Sequence, residues 1–360
     1  MTASLRDPLP LARGPAWAHR IALAPLTNFQ SHDDGTLGDD ELRWLSMRAA
    51  GGFSLTMTCA AYVSDAGKGF PGQLGISSDR HLPGLARLAQ ALRDAGTVSS
   101  VQLQHSGRRA LRGADGSPPV CPWDDEETGA RALTTDEVRQ MVQDFVDAAV
   151  RAERAGFEGV ELHGAHGYLL AQFLDADHNH RSDGYGGGFE ARTRVLHEVI
   201  AGIRARTGPS FQLGLRLSAE RFGVKLAEAR ALSAQLLLDG RLDYLDLSLW
   251  DAFKQPQEPE HQGRVLIDHF TDLPRGRTAL GVAGKLMGAA RAQACLDHGA
   301  DFVLIGRGAI LHHDFPRRAL ADPAFESVPR PVTREYLRGQ GVGPAFVHYL
   351  QSEWRGFVGD

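Results

Sequence analysis

Gly159-Val160-Glu161-Leu162-His163-Gly164-Ala165-His166-Gly167-Tyr168-Leu169-Leu170 decides how the rest of this 360-residue chain is read. The run Gly159-Val160-Glu161-Leu162 reads as a buried strand that stops at His163. Small residues then separate two imidazoles and a phenol, all within six positions. Hydrogen-bonding and proton-transfer groups bunched just past a strand end point to an active site.

Outward from this stretch, short apolar runs alternate with longer segments of helical periodicity. Candidate strands lie at 20–25, 53–59, 98–105, 158–163, 211–218, 242–249, 278–283 and 302–306. Such alternation implies a parallel sheet covered by helices. Eight repeats in a chain of this length predict an α/β fold of the closed (β/α)8 TIM-barrel type, with a doubly wound open sheet as the alternative. Thr134-Thr135-Asp136-Glu137 has the form of a capping box, and the apolar face Val138, Met141, Val142, Phe145, Val146, Ala149, Val150 follows before Gly156. Helices are also expected at 80–95, 189–206, 227–238 and 289–298.

Two connections are long: 106–133 after the third strand and 251–274 after the sixth. Loops of this length in a compact domain usually serve a site. Residues 1–322 are expected to form one barrel domain and 323–360 a C-terminal extension. Phe346, Val347, Leu350 and Trp354 share one helical face there, for docking on the barrel or on a neighbouring subunit of a homo-oligomer.

Composition narrows the class. Hydrophobic content of 42% with 23% charged residues is that of a globular protein. A net charge of -5 without a basic cluster argues against nucleic-acid binding. The nearest basic group, Arg108-Arg109 with Arg112, reads as a solvated Gly-rich loop. Cys59, Cys121 and Cys295 are too scattered for a disulfide framework or a metal motif, which fits a reducing compartment. No apolar signal core or membrane-length run is present, so a cytoplasmic location is expected.

A TIM barrel builds its site from the C-terminal ends of its strands. Here those ends carry Ala24-Pro25-Leu26-Thr27, Cys59-Ala60, Gln102 and His105, His163 with His166 and Tyr168, Arg216, Asp246 and Ser248, Ala283-Gly284, and Gly306-Arg307-Gly308. Glycine after strands seven and eight lets backbone N–H groups approach an anion, and Arg307 adds a cation. Gly284, Gly306 and Arg307 therefore suit a phosphate monoester; the plainer reading is that both glycines only permit tight turns.

Read onward, the central stretch continues Ala171-Gln172-Phe173-Leu174, Asn179, Arg181-Ser182-Asp183-Gly184-Tyr185-Gly186-Gly187 and Glu190-Ala191-Arg192. This resembles the signature of the Old Yellow Enzyme family, the FMN-dependent NADH:flavin oxidoreductases. Arg20 to Thr27, Val101-Gln102-Leu103-Gln104-His105-Ser106-Gly107-Arg108, Leu215-Arg216-Leu217-Ser218 and Ala300 to Arg307 resemble that family's first, third, fifth and eighth strands. The resemblance implies FMN as cofactor and NADH or NADPH as hydride donor. It implies an ene-reductase acting on a small-molecule activated alkene, an α,β-unsaturated carbonyl or nitro compound. Ala24, Pro25, Leu26, Thr27 and Ala60 would line the flavin ring, with Gln102 and Arg216 at its pyrimidine side. Gly284, Gly306 and Arg307 would take the phosphate, His163 and His166 the substrate oxygen, and Tyr168 would be the proton donor. Asp175-Ala176, Ala171, Gly188, Ala191 and Gly281-Val282-Ala283-Gly284 depart from the family's usual residues, which bears on loop shape and substrate preference. In some members a C-terminal arginine reaches a neighbouring subunit; Arg334 and Arg338 are candidates.

Two other classes compete. A metal-dependent barrel hydrolase would use His163 and His166 with a third ligand such as His105. A non-redox flavin- or phosphate-binding barrel would leave Tyr168 and both histidines without a task.

Overall fold

The structure is a computed structural model that describes residues 3–359. Eight parallel strands close into a barrel in sequential order. They are β1 (Ile21–Leu23), β2 (Leu55–Tyr62), β3 (Val98–Gln104), β4 (Gly159–Gly164), β5 (Gln212–Ser218), β6 (Tyr244–Ser248), β7 (Ala279–Ala283) and β8 (Phe302–Ile305). Each expected strand is present, and β2 runs on to Tyr62, beyond the expected end at residue 59. β1 closes the ring against β8, with Ile21, Ala22 and Leu23 opposite Val303, Leu304 and Ile305.

The strand alternation sorts residues between two cores. Val160 and Leu162 point outward and are fully buried under the helices, whereas Glu161 and His163 point into the barrel. Each fully buried leucine or valine on this outer face contributes about 1.5–3 kcal/mol. The inner core is smaller and closes one end: Trp17 packs edge-on against Tyr244 at 5.3 Å and Phe302 at 4.9 Å. Trp17 comes from the segment before β1, where it pairs with Leu9. Its indole N–H donates to Gln212 Oε1 at 3.2 Å. The barrel interior is therefore plugged at the N-terminal ends of the strands and open to side chains at the other.

The helices α1 (Asp39–Ala50), α2 (Leu82–Asp94), α3 (Thr135–Ala155), α4 (Leu169–Leu174), α5 (Phe189–Arg206), α6 (Leu226–Asp239), α7 (Asp268–Thr271) and α8 (Ala289–Asp297) follow the strands. The capping box of α3 is formed: Glu137 N–H donates to Thr134 Oγ1 at 3.2 Å and Thr134 N–H to Glu137 Oε2 at 2.8 Å. Gly156 ends the helix in the left-handed region at φ 95°, where a side chain would be strained. The connection 106–133 holds a small strand pair, Val120–Cys121 with Arg131–Ala132.

After β8 come α9 (Arg307–Leu311), α10 (Phe315–Ala321), α11 (Arg334–Gly339) and α12 (Pro344–Glu353). Phe346 and Leu350 of α12 are fully buried, and Phe346 lies edge-on to Trp44 of α1 at 5.1 Å. The tail thus packs on the barrel of its own chain. No helix among the described residues is long and apolar enough to cross a membrane.

Candidate active site

The open end of the barrel holds a cavity of about 760 Å³. Ala24, Pro25, Leu26 and Thr27 beyond β1, Ala60 of β2, Gln102 of β3 and Arg216 of β5 line it. So do His163, His166 and Tyr168 at the end of β4, and Gly284, Gly306 and Arg307 after β7 and β8. All the expected site residues therefore face one space, including pairs far apart in sequence.

His163 is the last inward side chain of β4, since Gly164 ends the strand. The chain then turns sharply, with His166 at φ 60°, and His166 N–H donates to Ser218 Oγ at 2.9 Å. This turn brings His166 Nδ1 to 3.0 Å from His163 Nε2. Ser248 Oγ at the end of β6 meets His166 Nε2 at 2.7 Å. Burial, then the Arg216 and Arg109 charges, push His166 down to about 3. Burial, then the neighbouring His166, hold His163 well below the usual range. Both imidazoles are neutral at physiological pH, so each offers one N–H donor and no charge.

Tyr168 lies beside this pair, its ring centroid 4.9 Å from that of His163. Burial raises its phenol above the ordinary value, and Arg109 partly offsets the rise. Arg109 stands over the ring with Cζ 4.8 Å from the centroid, and its Nη1 donates to His166 O at 2.9 Å. Arg109 and Arg112 are exposed, as expected of a solvated loop, but the two adjacent arginines have different tasks. Arg108 turns to Asp125 at 3.4 Å, while Arg109 lines the cavity, because consecutive residues of a tight turn point in different directions.

Behind the cavity the barrel interior is polar. Gln102 Nε2 donates to Glu161 Oε1 at 2.7 Å, and Arg216 Nε lies 3.0 Å from Asp246 Oδ2. Glu161 and Asp246 are fully buried. Burial, then the charge of Asp246, push the Glu161 carboxyl well above the carboxylate range, to about 8. Burial also raises Asp246, against the pull of Arg216.

The two glycines after β7 and β8 differ. A Cβ at Gly284 would sit 2.7 Å from Ala252 N, so packing alone demands glycine there. A Cβ at Gly306 would meet Leu26 Cδ2 at 3.5 Å and Ala24 Cβ at 3.9 Å, ordinary van der Waals contacts, so packing does not demand glycine there. Around the cavity stand seven cations, Arg109, Arg216, Arg221, Lys285, Arg307, Arg330 and Arg355, against one carboxylate, Glu353. In a chain of net charge -5 this is a strong local excess, suited to phosphate-bearing ligands.

Several lining residues were not legible in the sequence. Arg221, Phe222, Trp250 and Lys285 all have φ between 52° and 77°, in the left-handed region. The tail supplies Tyr349, Glu353, Trp354 and Arg355. Tyr349 also joins Phe29 and Phe70 in walling an adjoining hollow of about 550 Å³. Phe29 is left-handed too, at φ 59°, so every non-glycine residue in that region among those described borders one of the two spaces. Neither Arg334 nor Arg338 lines either space; Arg334 donates to Gln351 Oε1 at 2.8 Å. The metal reading finds no third ligand: among the described residues only Glu258, Glu260 and His261 converge as a metal-binding group, and none lines the cavity.

The family model described as "NADH:flavin oxidoreductase / NADH oxidase family" matches residues 7–323. The chain belongs to that family, the Old Yellow Enzyme group of FMN-dependent NAD(P)H oxidoreductases. It is 34% identical to the probable NADH-dependent flavin oxidoreductase YqiG of Bacillus subtilis (strain 168), over 84% of either chain. It is 33% identical to an NADPH dehydrogenase of Bacillus pumilus (strain SAFR-032), over 91% of this chain and 96% of that one. The solved old yellow enzyme homologue from Zymomonas mobilis superimposes with TM-score 0.80 at 29% identity, covering 95% of this chain and 99% of that one. FMN is the cofactor and NAD(P)H the hydride donor. The chemistry of the lining fits FMN: Gly306 adjoins the half-buried guanidinium of Arg307, a donor set suited to a phosphate, and Gln102 and Arg216 are polar groups of the kind a flavin ring would need.

Proposed function

We propose that this oxidoreductase reduces the activated C=C bond of α,β-unsaturated carbonyl or nitro compounds. One observation carries the reading: two neutral imidazole nitrogens converge to 3.0 Å beside a half-buried phenol, in a cavity with a polar floor. A single acceptor oxygen entering the cavity lies within reach of both nitrogens. FMN, when bound, supplies the two-electron hydride chemistry between NAD(P)H and the alkene.

Hydride arrival at the β-carbon puts negative charge on the conjugated carbonyl or nitro oxygen. His163 Nε2–H and His166 Nδ1–H hold that oxygen and stabilise the charge, each donor worth about 2.7–4 kcal/mol of barrier. Tyr168 gives its proton to the α-carbon, which completes the addition of two hydrogens across the double bond. Burial keeps the phenol protonated across the neutral range, so its proton is in place when substrate arrives. Gly284, Gly306 and Arg307 hold the phosphate, and Ala24 to Thr27, Ala60, Gln102 and Arg216 hold the ring. Residues 1–322 carry this chemistry and 323–360 form the extension that walls the site. Three free, buried cysteines fit a reducing compartment, the cytoplasm.

The test is separation of the half-reactions. Tyr168→Phe should slow reoxidation by 2-cyclohexenone or N-methylmaleimide while leaving reduction by NADPH within a few-fold of wild type. Equal losses in both would contradict the proton-donor role. A purified protein that neither carries FMN nor takes it up would sink the whole reading.

A further inference from the structure

Beneath the ring site lies a charged cluster whose two carboxyl groups, Glu161 and Asp246, the chemistry above does not use. Glu161 of β4 faces Gln102 of β3 in register and, across Gly214 of β5, Tyr244 of β6; Arg216 of β5 and Asp246 of β6 pair one inward position further along, level with His163. Gln102, Glu161, Arg216, Tyr244 and Asp246 are all at most 5% exposed. Buried carboxylates are costly unless each serves a partner. Glu161 Oε1 accepts from the amide of Gln102 at 2.7 Å, and Asp246 Oδ2 forms an ion pair with the guanidinium of Arg216 at 3.0 Å. That ion pair is not aligned as a hydrogen bond, so Glu161 Oε2 and both Asp246 oxygens lack a hydrogen-bond donor. A proton carried on Glu161 would relieve part of that shortage, since it turns one acceptor into a donor.

We propose that Glu161 is a positioning residue for the flavin: it captures the NH2 of Gln102 and thereby commits the amide oxygen of Gln102 to the cavity. The inference rests on the placement of the FMN ring against Gln102 given above. A free glutamine amide can present either end, and only one end accepts from an imide N–H such as the flavin's. An acceptor at 2.7 Å behind it removes that ambiguity. Asp246 restrains Arg216 in the same way, so both groups that meet the pyrimidine side are held from behind. Glu161 also sets the charge of the layer. With its proton, Glu161, Asp246 and Arg216 sum to zero; without it, they sum to minus one beside a ring that becomes anionic on reduction. Arg216 and Asp246 are the charged groups facing Glu161, and Gln102 and Tyr244 its polar neighbours. Loss of the proton therefore disfavours reduced over oxidised flavin.

Two readouts on the purified holoenzyme test this without turnover. In FMN dissociation, Gln102→Ala and Glu161→Leu should each raise Kd about tenfold, the loss of one net hydrogen bond. In the Gln102→Ala background, Glu161→Leu should add less than about twofold, because the amide through which it acts is gone. In potentiometric titration, the midpoint potential of bound FMN should fall more steeply with pH in wild type than in Glu161→Gln, across the alkaline range where Glu161 ionises. The isosteric glutamine keeps the acceptor and removes the charge, so it remains informative if the leucine variant folds poorly. Equal effects of Glu161→Leu in both backgrounds, or parallel potential curves, overturn the proposal while leaving FMN placement intact. An unchanged Kd in Gln102→Ala overturns both.

Discussion

His163 Nε2 and His166 Nδ1 face each other at 3.0 Å, so one nitrogen donates and the other accepts. A substrate oxygen can accept from both only once the accepting imidazole carries its proton on the nitrogen that faces its partner, so binding replaces one imidazole–imidazole hydrogen bond by two imidazole–oxygen ones and switches one tautomer. Replacing either histidine by alanine should lower kcat/KM for alkene reduction by about 10²–10³, with little change in flavin reduction by nicotinamide. Stopped-flow measurement of the separate half-reactions decides it; equal loss in both would show a structural role only.

The same pair sets a pH dependence of stability. Burial depresses His166 to about 3 and holds His163 lower than its ordinary value, whereas an unfolded histidine titrates near ~6.5. Below ~6.5 the unfolded chain takes up protons that the native chain refuses, so stability falls as pH falls toward 3. Urea unfolding at pH 7 and pH 5 should show this fall, and His166→Asn should reduce it. An unchanged pH slope in the variant would contradict a buried, neutral His166.

Arg109 holds the Tyr168 phenol lower than burial alone would leave it. Arg109→Gln should therefore move the alkaline limb of alkene reduction to higher pH. Because Arg109 is exposed, solvent screens the effect and the shift should be modest. A limb that stays put, or moves down, would mean that Arg109 does not act on the phenol.

Gly306→Ala and Gly284→Ala separate cofactor space from packing. The added methyl at Gly306 meets no protein atom under 3.5 Å, so the apoprotein should melt as wild type does while FMN binds more weakly. The methyl at Gly284 meets Ala252 N at 2.7 Å and should destabilise the fold itself by about 1–3 kcal/mol. Calorimetry of apoprotein and FMN titration of both variants distinguish the two; identical profiles would remove the case for Gly306 as a phosphate cradle.

Phe346 is fully buried against Trp44 and anchors the tail that walls the site. Phe346→Ala should cost about 3–5 kcal/mol, felt first as local opening of the tail. Hydrogen exchange should rise across 332–359 before the barrel strands. Uniform loss of protection would show that tail and barrel unfold as one unit.

The strands were legible because strands buried between a barrel interior and its helices read as short apolar runs, repeated eight times between helical segments. Val160 and Leu162 announce the outer face; Glu161 and His163 announce the inner one. The residues converging at the strand ends followed from that geometry. What escaped reading is what no local pattern encodes. Trp17 plugs the barrel from a segment without periodicity. Tyr349 and Arg355 reach the cavity only because the chain folds back over it after β8. Arg109 was hidden by its neighbour Arg108, since adjacent identical residues give no hint that only one turns inward.

The left-handed residues at the rim carry a consequence for engineering. Phe29, Arg221, Phe222, Trp250 and Lys285 each hold a backbone angle that costs a side-chain-bearing residue roughly 1–2 kcal/mol, and each holds it beside the space where ligands enter. Glycine at any of these positions would relieve the strain and erase the wall. Selection for thermal tolerance alone would therefore tend to remove side chains from the walls of these two spaces, trading their shape for stability.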